Sequence, residues 1–371
     1  MTRTTPRGDP HDNSASERSA PEATADLLAA LASEGGIAPR ARLLGLVEGF
    51  ARARVLVIGD LVLDEYLIGT PARISREAPV LILEQRDQFI VPGGATNPGV
   101  NARTLGAEVY VAGVIGDDSP GRQLQAALAR AGVHLDGVLR DASRPTSTKT
   151  RIVAGSAQVV QQQIVRIDRV AVAPLSAEQE RDIIAAITRL IPQVDAVILS
   201  DYDIGMLSPA IIAACLPLAR QHHVNVVVDS HGDLARFQGV TALTPNEPEA
   251  EAALGVRITD RASLDRAGGQ LLAQTGARGV LITRGSEGMS LFERDQPPVH
   301  LPVAPLILVS DTTGAGDTVC ATFTLALVAG ATMAEAAVLA TLAAGLVVRR
   351  MGCATNTPAE LAAAITDLVG A

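Results

Sequence analysis

Short aliphatic runs alternate with longer amphipathic segments through most of the chain. The aliphatic runs lie at residues 54–59, 109–114, 196–199, 224–228 and 280–282. The helical patterns lie at 121–131, 178–190 and 209–220, with two more at 333–347 and 358–369. Continuous apolar strands that alternate with helices are typical of a parallel sheet covered on both faces. We therefore predict a three-layer α/β/α fold built on a mostly parallel sheet.

Two segments break this pattern. Residues from about 65 to 92 and from 146 to 168 show no helical periodicity and consist of short extended pieces. Alternation of apolar and polar residues is typical of strands with one covered face. We interpret the two segments as a small β lid over one edge of the main sheet.

The first 51 residues differ from the rest of the chain. Residues 1–22 are rich in Ser, Thr, Pro and charged residues, a composition that predicts disorder. Two short helical patterns follow at 24–31 and 40–50. We therefore predict an N-terminal extension over 1–51 and one domain over 52–371.

Residues 311–317, Asp-Thr-Thr-Gly-Ala-Gly-Asp, lead directly into an apolar helical pattern. The first turn of a helix offers unpaired N–H groups and the positive end of the helix dipole, which together bind anions. Gly314, Ala315 and Gly316 would let a phosphate lie against the backbone, and Asp317 would accept a proton from an attacking hydroxyl. The pattern indicates phosphoryl transfer, which depends mostly on positioning and charge stabilisation. The alternative is a glycine-rich loop that only caps a helix.

Polar residues also follow other predicted strands, and in such sheets ligands bind beyond the carboxyl ends of the strands. Asp60 and Asp64 follow the first strand, where a carboxylate would accept hydrogen bonds from sugar hydroxyls. Gly93, Gly94 and Asn97 precede a helical pattern and would hold the same ligand. The alternative in both places is ordinary turn chemistry.

A second group of candidates suits a nucleotide. Asn246, Glu247, Pro248 and Glu249 open a helical pattern, and Glu249 would hold Mg²⁺ through a water because this ion keeps several of its waters. The alternative is a helix cap formed by Asn246 and Glu249. Thr283, Arg284 and Gly285 join two strands and would line a nucleotide pocket, or form only a hairpin.

Composition excludes several other classes of function. The 371 residues carry 31 basic and 40 acidic side chains, and the net charge of −9 disfavours nucleic acid as a partner. No apolar run approaches the ~18 residues of a membrane span, and the polar N-terminus lacks a signal-peptide core. Cys215, Cys320 and Cys353 form no disulfide framework or zinc spacing, which fits the cytoplasm. The histidines, His231 among them, show no metal spacing and are assigned surface or structural roles.

The chain contains a single lysine, Lys149, among its 31 basic side chains. A lysine ammonium is a compact point charge that arginine does not replace at a tight site. Lys149 is therefore a candidate contact to the phosphate or the hydroxyls of a ligand. The alternative is that it survives by chance in an arginine-rich sequence.

Taken in order, these segments resemble the ribokinase or PfkB family of small-molecule kinases over about residues 52–367. The resemblance implies phosphorylation of a sugar hydroxyl by MgATP, with Asp317 as the base and residues 314–316 as the anion hole. It assigns Asp64, Gly93, Gly94, Asn97 and Lys149 to the sugar, and residues 246–249 and 283–285 to ATP and magnesium. Asp311 and Thr312 also fall on the nucleotide side, and in some relatives the residues around Asp311 bind potassium. The family often dimerises through the lid, so we expect a homodimer.

Within this family, the strings at 73–80, 144–151, 200–202 and 351–355 are similar to those of bacterial heptose 7-phosphate kinases. The implied product is heptose 1,7-bisphosphate, an intermediate of ADP-heptose and lipopolysaccharide core synthesis. The nucleotidyltransferase that follows in some relatives is not expected, since the chain ends too early and has no H-x-G-H string. The chain departs from these kinases at Ile204 and His231, where they usually carry lysine. A kinase for another sugar or a nucleoside, and a non-catalytic sugar-binding scaffold with this fold, are therefore alternatives.

Overall fold

The computed structural model describes residues 39–156, 159–170, 172–303 and 309–370. The predictions for 1–22 and 24–31 lie outside these residues. The described strands are β1 (Arg54–Gly59), β2 (Leu61–Ile74), β3 (Leu81–Gly94), β4 (Glu108–Gly116), β5 (His134–Asp141), β6 (Ser147–Ser156), β7 (Val159–Arg169), β8 (Ala196–Asp201), β9 (Asn225–Ser230), β10 (Ala242–Leu243), β11 (Gly279–Thr283), β12 (Met289–Glu293) and β13 (Val299–Leu301). The described α-helices are α1 (Pro39–Gly49), α2 (Thr96–Thr104), α3 (Ser119–Arg130), α4 (Ala177–Leu190), α5 (Pro209–Gln221), α6 (Glu247–Leu254), α7 (Arg261–Thr275), α8 (Ala315–Val328), α9 (Met333–Val347) and α10 (Pro358–Gly370).

A nine-stranded sheet forms the centre of the molecule. Its strand order is β13-β12-β11-β10-β9-β8-β1-β4-β5, parallel from β11 to β5, with β12 and β13 antiparallel at one edge. Helices cover both faces, so the predicted fold class is confirmed. The alternation along β1 shows why its sequence is continuously apolar: Val55 and Val57 pack into one hydrophobic cluster, whereas Leu56 and Ile58 pack into the other.

Four strands form the lid, in the order β3-β2-β6-β7. Strand β2 follows β1 after one residue, so the lid continues directly from a parallel strand of the main sheet that lies between β8 and β4. The junction requires Gly59, because a Cβ there would lie 1.9 Å from the carbonyl oxygen of Ser200. The lid is thereby anchored beside the carboxyl ends of β1 and β8.

Helix α1 packs into the same core as the main sheet. Leu43, Leu46, Val47 and Phe50 are buried within the larger hydrophobic cluster. Arg42 pairs with Glu335 on α9 through Nε and Oε1 at 3.0 Å. This part of the predicted N-terminal extension therefore contributes apolar surface to the domain. Among the described residues, no helix combines the length and apolar character needed to cross a membrane.

Candidate active site

Asp317 lies in the first turn of α8, a helix whose residues from Asp317 to Ala326 are buried. Because α8 begins at Ala315, the N–H groups of its first turn have no partner within the helix. Gly316 is exposed, and a Cβ there would meet no atom within 4 Å. The turn therefore presents a carboxylate beside accessible amides, as the sequence predicted for an anion site.

Gly314 precedes the helix in the left-handed region, with φ of 79°. A Cβ at this position would lie 2.6 Å from Nδ2 of Asn97. Any other residue would be strained and would displace the Asn97 amide. Gly314 thus lets α2 and α8 approach closely enough for their polar side chains to meet.

The Asp317 carboxylate is buried and accepts hydrogen bonds from two side chains. Nδ2 of Asn97 donates to Oδ2 at 2.6 Å, and the hydroxyl of Tyr202 lies 3.2 Å from Oδ1 and 3.4 Å from Oδ2. Burial raises the pKa of Asp317 to about 7, although both hydrogen bonds and the nearby His231 oppose the rise. A carboxylate with a pKa near neutrality is suited to general-base catalysis.

Asn97 is itself oriented by neighbouring side chains. Nδ2 of Asn101 donates to Oδ1 of Asn97 at 3.0 Å, and the Thr318 hydroxyl donates to Oδ1 of Asn101 at 2.9 Å. This chain of amides assigns the donor end of Asn97 to Asp317. The predicted sugar residue Asn97 is therefore also a direct partner of the predicted base.

Asp64 lies on the lid strand β2, and its side chain is buried. Its Oδ2 lies 3.0 Å from Nη1 of Arg151, and the Cys353 thiol donates to the same oxygen at 3.5 Å. A Cβ on Gly93 would lie 2.6 Å from the Asp64 carboxyl carbon, so this glycine lets the backbone pack flat on the carboxylate. Oδ1 of Asp64 is buried with no hydrogen-bond partner among the described residues. A buried, unpaired carboxylate oxygen indicates a ligand hydroxyl at this point.

Gly94 and Asp60 have structural roles beside this site. Gly94 has φ of 53°, and a Cβ there would lie 2.5 Å from the Asp60 carbonyl oxygen. The Asp60 carboxylate accepts the N–H groups of Tyr202, Ile204 and Met206 at 2.9, 3.3 and 3.0 Å. Asp60 therefore fixes the loop after β8 and offers little capacity for a sugar.

Lys149 lies on β6, in register with Asp64 on β2. Its Nζ lies 4.6 Å from the centroid of the Tyr202 ring. The lysine therefore belongs to the same cleft as Asp64 and Asp317, and its ammonium packs over an aromatic face.

On the predicted nucleotide side, Asn246 and Glu249 form a capping box at the start of α6. The Asn246 side chain accepts the Glu249 N–H at 2.9 Å, and the Asn246 N–H donates to Oε2 of Glu249 at 2.8 Å. Oε1 of Glu249 lies 2.5 Å from Nδ1 of His231. The helix cap that sequence allowed as an alternative is present, while Glu249 also faces the cleft through His231.

Thr283, Arg284 and Gly285 connect β11 to β12 and lie next to this cap. Thr283 pairs with Asn246 in an isolated parallel bridge, and Nε of Arg284 lies 3.3 Å from Oε2 of Glu247. Gly285 has φ of 54° with open space where a Cβ would project. The segment is therefore both a hairpin and a neighbour of the 246–249 turn, which also contains Pro248.

Three hydrogen bonds hold the Asp311 carboxylate. Its Oδ1 accepts the N–H and hydroxyl of Thr313 at 2.9 and 2.7 Å, and Oδ2 accepts the Gly352 N–H at 2.9 Å. Burial alone would raise its pKa, but these hydrogen bonds lower the pKa of Asp311 overall. The carbonyl of Thr312 accepts the Ala315 N–H at 3.2 Å, which completes the turn into α8.

Four side chains outside the predicted set of site residues also line the cleft: Arg151, Tyr202, His231 and Cys353. The surface or structural role predicted for His231 is incomplete, because its ring packs edge-on against Tyr202 with centroids 4.6 Å apart. Asp229, at the end of β9, has its pKa raised by burial and by the charges of Asp317 and Glu249. The available signal was position, since Tyr202 and His231 directly follow strands β8 and β9.

The chain belongs to the pfkB carbohydrate kinases. A profile described as "pfkB family carbohydrate kinase" matches residues 52–360. This family assignment agrees with the anion site at α8 and with the lidded three-layer fold.

Among curated proteins, the chain is similar to the "Bifunctional protein HldE" of several bacteria. It is 47% identical to that of Pelobacter propionicus over 314 residues, which cover 84% of this chain and 63% of the relative. It is 40% identical to that of Caulobacter vibrioides over 328 residues, covering 88% of this chain and 66% of the relative. The chain thus spans about two thirds of the length of these relatives.

Two solved structures show the same fold at low identity. Phosphofructokinase-2 from Escherichia coli in complex with substrates and products has a TM-score of 0.70 at 17% identity, covering 85% of this chain and 99% of that one. Arabidopsis thaliana ribokinase complexed with ribose and ATP has a TM-score of 0.63 at 21% identity, covering 85% and 98%.

Proposed function

We propose that this protein transfers the γ-phosphoryl group of ATP to a hydroxyl of heptose 7-phosphate, forming heptose 1,7-bisphosphate. The observation that supports kinase chemistry most directly is the Asp317 carboxylate, which shares the first turn of α8 with the exposed backbone of Gly316. Identity of 47% to a bifunctional HldE protein supports heptose 7-phosphate as the acceptor. A cytoplasmic location belongs to the same proposal, since ATP and sugar phosphates are metabolites of that compartment.

In the proposed reaction, the sugar hydroxyl oxygen attacks the γ-phosphorus while the bond to the β,γ-bridging oxygen breaks. Asp317 takes the hydroxyl proton, and ADP leaves with the bridging oxygen. Asn97 donates to Oδ2 at 2.6 Å and the Tyr202 hydroxyl lies 3.2 Å from Oδ1, so each carboxylate oxygen keeps a lone pair that could accept the proton. The amides of Gly314 and Gly316 would stabilise charge on the migrating phosphoryl group, whereas the N–H of Ala315 is engaged by the Thr312 carbonyl.

The acceptor sugar would lie between the lid and α2. Oδ1 of Asp64 would accept one of its hydroxyls, and Gly93 and Gly94 would give it a flat backbone surface. Arg151 keeps Asp64 charge-compensated, so the buried carboxylate stays available for hydrogen bonding. Lys149, in register with Asp64 on the neighbouring lid strand, would supply positive charge on the same side of the sugar.

The nucleotide would lie over the 246–249 and 283–285 turns. Magnesium would neutralise charge on the ATP phosphates and keep most of its waters. Each oxygen of Glu249 uses one lone pair, for the cap and for His231, which leaves lone pairs to accept from a magnesium-bound water. Among the described residues, no group of three carboxylate, thiol or imidazole side chains forms a metal cage, as fits a metal held largely by phosphates. Residues around Asp311 are the proposed potassium site.

One observation favours a different acceptor sugar. Ile204 and Ser230 are buried, and Ser230 donates to Asp201 at 2.7 Å. Ile204 stands where the heptose 7-phosphate kinases usually carry lysine, so this position supplies no charge to the acceptor, and His231, at the second such position, contacts Glu249. A kinase for another sugar or a nucleoside is accordingly the second candidate.

The test is a panel of sugars and sugar phosphates incubated with purified protein and MgATP, scored by ADP release. We expect heptose 7-phosphate to give the highest kcat/KM and a bisphosphate product by mass spectrometry. Faster turnover of ribose, fructose or fructose 6-phosphate would overturn the heptose assignment. Sugar binding without ATP consumption on every acceptor would instead support a non-catalytic scaffold. An Asp317→Asn preparation is the control for contaminating kinases.

The outer face of the lid supports a homodimer. Leu67, Ile152 and Val165 form a cross-strand row on this face. Apolar side chains there and at the lid tip are substantially exposed, namely Ile74 (59%), Leu81 (41%), Ile164 (48%), Val165 (45%) and Ile167 (55%). Contiguous exposed apolar surface of this kind is typical of an interface. We infer that two lids pack face to face.

Light scattering coupled to gel filtration tests the dimer. We expect a dimer for the wild type and a monomer for Val165→Glu. Val172→Glu is the matched control, since Val172 is 72% exposed but lies outside the lid strands. A monomeric wild-type protein, or a Val165→Glu dimer, would contradict the proposed interface.

A further inference from the structure

We propose that Tyr202 is a positioning residue that orients the Asp317 carboxylate and keeps it in its ionised form. The inference rests on the proposed kinase function, in which Asp317 is the base. It starts from a contact across distant parts of the chain. The phenol oxygen of Tyr202 lies within hydrogen-bond distance of both Asp317 oxygens, at 3.2 and 3.4 Å.

A hydrogen bond to a buried carboxylate fixes the backbone of Tyr202. Its N–H donates to the buried Asp60 carboxylate at 2.9 Å, and the same carboxylate holds the N–H groups of Ile204 and Met206. Asp203, the next residue, has φ of 57°, and its N–H donates to Oδ1 of Asp201 at 3.2 Å. A buried carboxylate that holds three amides makes the loop after β8 a rigid mount for one side chain.

The ring of Tyr202 is fixed from two sides. Nζ of Lys149, from the lid strand β6, lies 4.6 Å from its centroid. His231, which contacts Glu249 at 2.5 Å, packs edge-on against the ring. The phenol is therefore held by the lid, by the loop after β9 and by its own backbone, which leaves its hydroxyl little freedom except toward Asp317.

The direction of the hydrogen bond follows from protonation. Burial, and then the charge of Asp317, raises the pKa of the Tyr202 phenol well above its usual value. The phenol therefore stays protonated and donates. A hydrogen bond donated to a carboxylate favours the charged form and lowers the pKa of the acid. Tyr202 thus offsets part of the rise that burial imposes on Asp317.

Other charged and titratable groups face Asp317 as well. Asp64 raises its pKa and His231 lowers it. Asp229, Cys320 and Cys353 also interact electrostatically with Asp317. A conservative change that removes only the Tyr202 hydroxyl leaves all of these groups in place, and it retains the ring contacts to Lys149 and His231. Tyr202→Phe therefore isolates the hydrogen bond.

The experiment measures kcat/KM for the acceptor sugar between about pH 5.5 and 9.5. In the wild type, the rate should rise through the ionisation of Asp317, near pH 7. In Tyr202→Phe we expect the midpoint to move up by about one pH unit, the worth of a hydrogen bond to a charged group. The variant would then be about five-fold slower at pH 7 and within about two-fold of wild type at pH 9.5.

Tyr110→Phe is the matched control. The chain contains three tyrosines, and the hydroxyl of Tyr110 donates to Glu108 near the start of β4, at the opposite edge of the sheet. Its pH profile should match that of the wild type. A Tyr202→Phe profile with an unchanged midpoint, whether or not the rate falls uniformly, would overturn the proposal.

A second measurement does not depend on turnover. The side-chain ¹³C resonance of Asp317, assigned by its loss in Asp317→Asn, should titrate at higher pH in Tyr202→Phe than in the wild type. An identical titration would overturn the contact even if the kinase is active. If no acceptor is phosphorylated but the titration moves as expected, the proposed function fails while the Tyr202 contact stands.

Discussion

The sugar side and the nucleotide side of the cleft are built differently. On the sugar side, Asp317, Asp64 and Asn97 find partners that lie far away in sequence, such as Tyr202 and Arg151. On the nucleotide side, Asn246 and Asp311 bond mainly to groups two or three residues away. The sugar side is also the more buried of the two. Burial among distant elements raises the pKa of Asp317 to about 7, whereas the pKa of Asp311 is lowered, because hydrogen bonds from Thr313 and Gly352 outweigh its burial.

The largest expected effect separates two aspartates of one segment. Asp317→Asn removes the proposed base and should lower kcat by about 10²–10⁴-fold. Asp311→Asn alters a turn anchor and should lower kcat by less than about ten-fold. Steady-state kinetics of both variants with the best acceptor sugar make the comparison. Equal losses of kcat in the two variants would show that the sugar side and the nucleotide side contribute equally to catalysis.

Two glycines with positive φ provide the next comparison. Gly314→Ala adds a Cβ 2.6 Å from Nδ2 of Asn97, so it should displace the partner of Asp317 and lower kcat by about 10²-fold. Gly285→Ala meets open space and should cost only the backbone strain, about 1 kcal/mol of unfolding free energy. Kinetics and urea unfolding distinguish the two losses. A fully active Gly314→Ala enzyme would contradict the close approach of α2 and α8.

Two arginine pairs test the effect of burial on stability. Arg151→Met leaves the buried Asp64 without its cation and should reduce the free energy of unfolding by about 3–5 kcal/mol. Arg284→Met breaks pairs with Glu247, 30% exposed, and Glu287, 66% exposed, and should cost about 1 kcal/mol or less. Urea unfolding at neutral pH provides both values. Comparable losses would remove the energetic difference between the two sides.

The last comparison concerns the pH dependence of stability. Asp317 has a pKa of about 7 in the folded protein, above its usual 3.8. Between pH 3.8 and pH 7 the carboxyl group is therefore protonated in the folded state but ionised in the unfolded state. Wild-type stability should therefore fall relative to Asp317→Asn as pH rises from about 4 to 7, by about 2–4 kcal/mol at most. Parallel unfolding curves at pH 5 and pH 8 check the sign. A wild type that gains stability relative to the variant over this range would contradict a buried, raised carboxylate.

Much of this protein was predictable from sequence, because the signals involved are local. Aliphatic runs and amphipathic segments predicted the three-layer sheet, and the glycines before Asp317 predicted the start of a helix there. The same locality explains why the Asn246–Glu249 cap was available as an alternative, since a capping box needs only residues three apart.

Tertiary structure alone decided which side chains meet at the Asp317 carboxylate, the proposed base. Tyr202 and His231 follow strands, but the sequence gives no sign of which groups they contact, because that depends on how β8 and β9 pack beside α8. Arg151 likewise meets Asp64 only because β6 pairs with β2. The raised pKa of Asp317 is likewise a tertiary property, since desolvation depends on everything packed around the group. The sequence specified which groups residues 311–317 carry. The tertiary structure decided the pKa of the Asp317 carboxylate and the direction in which it points.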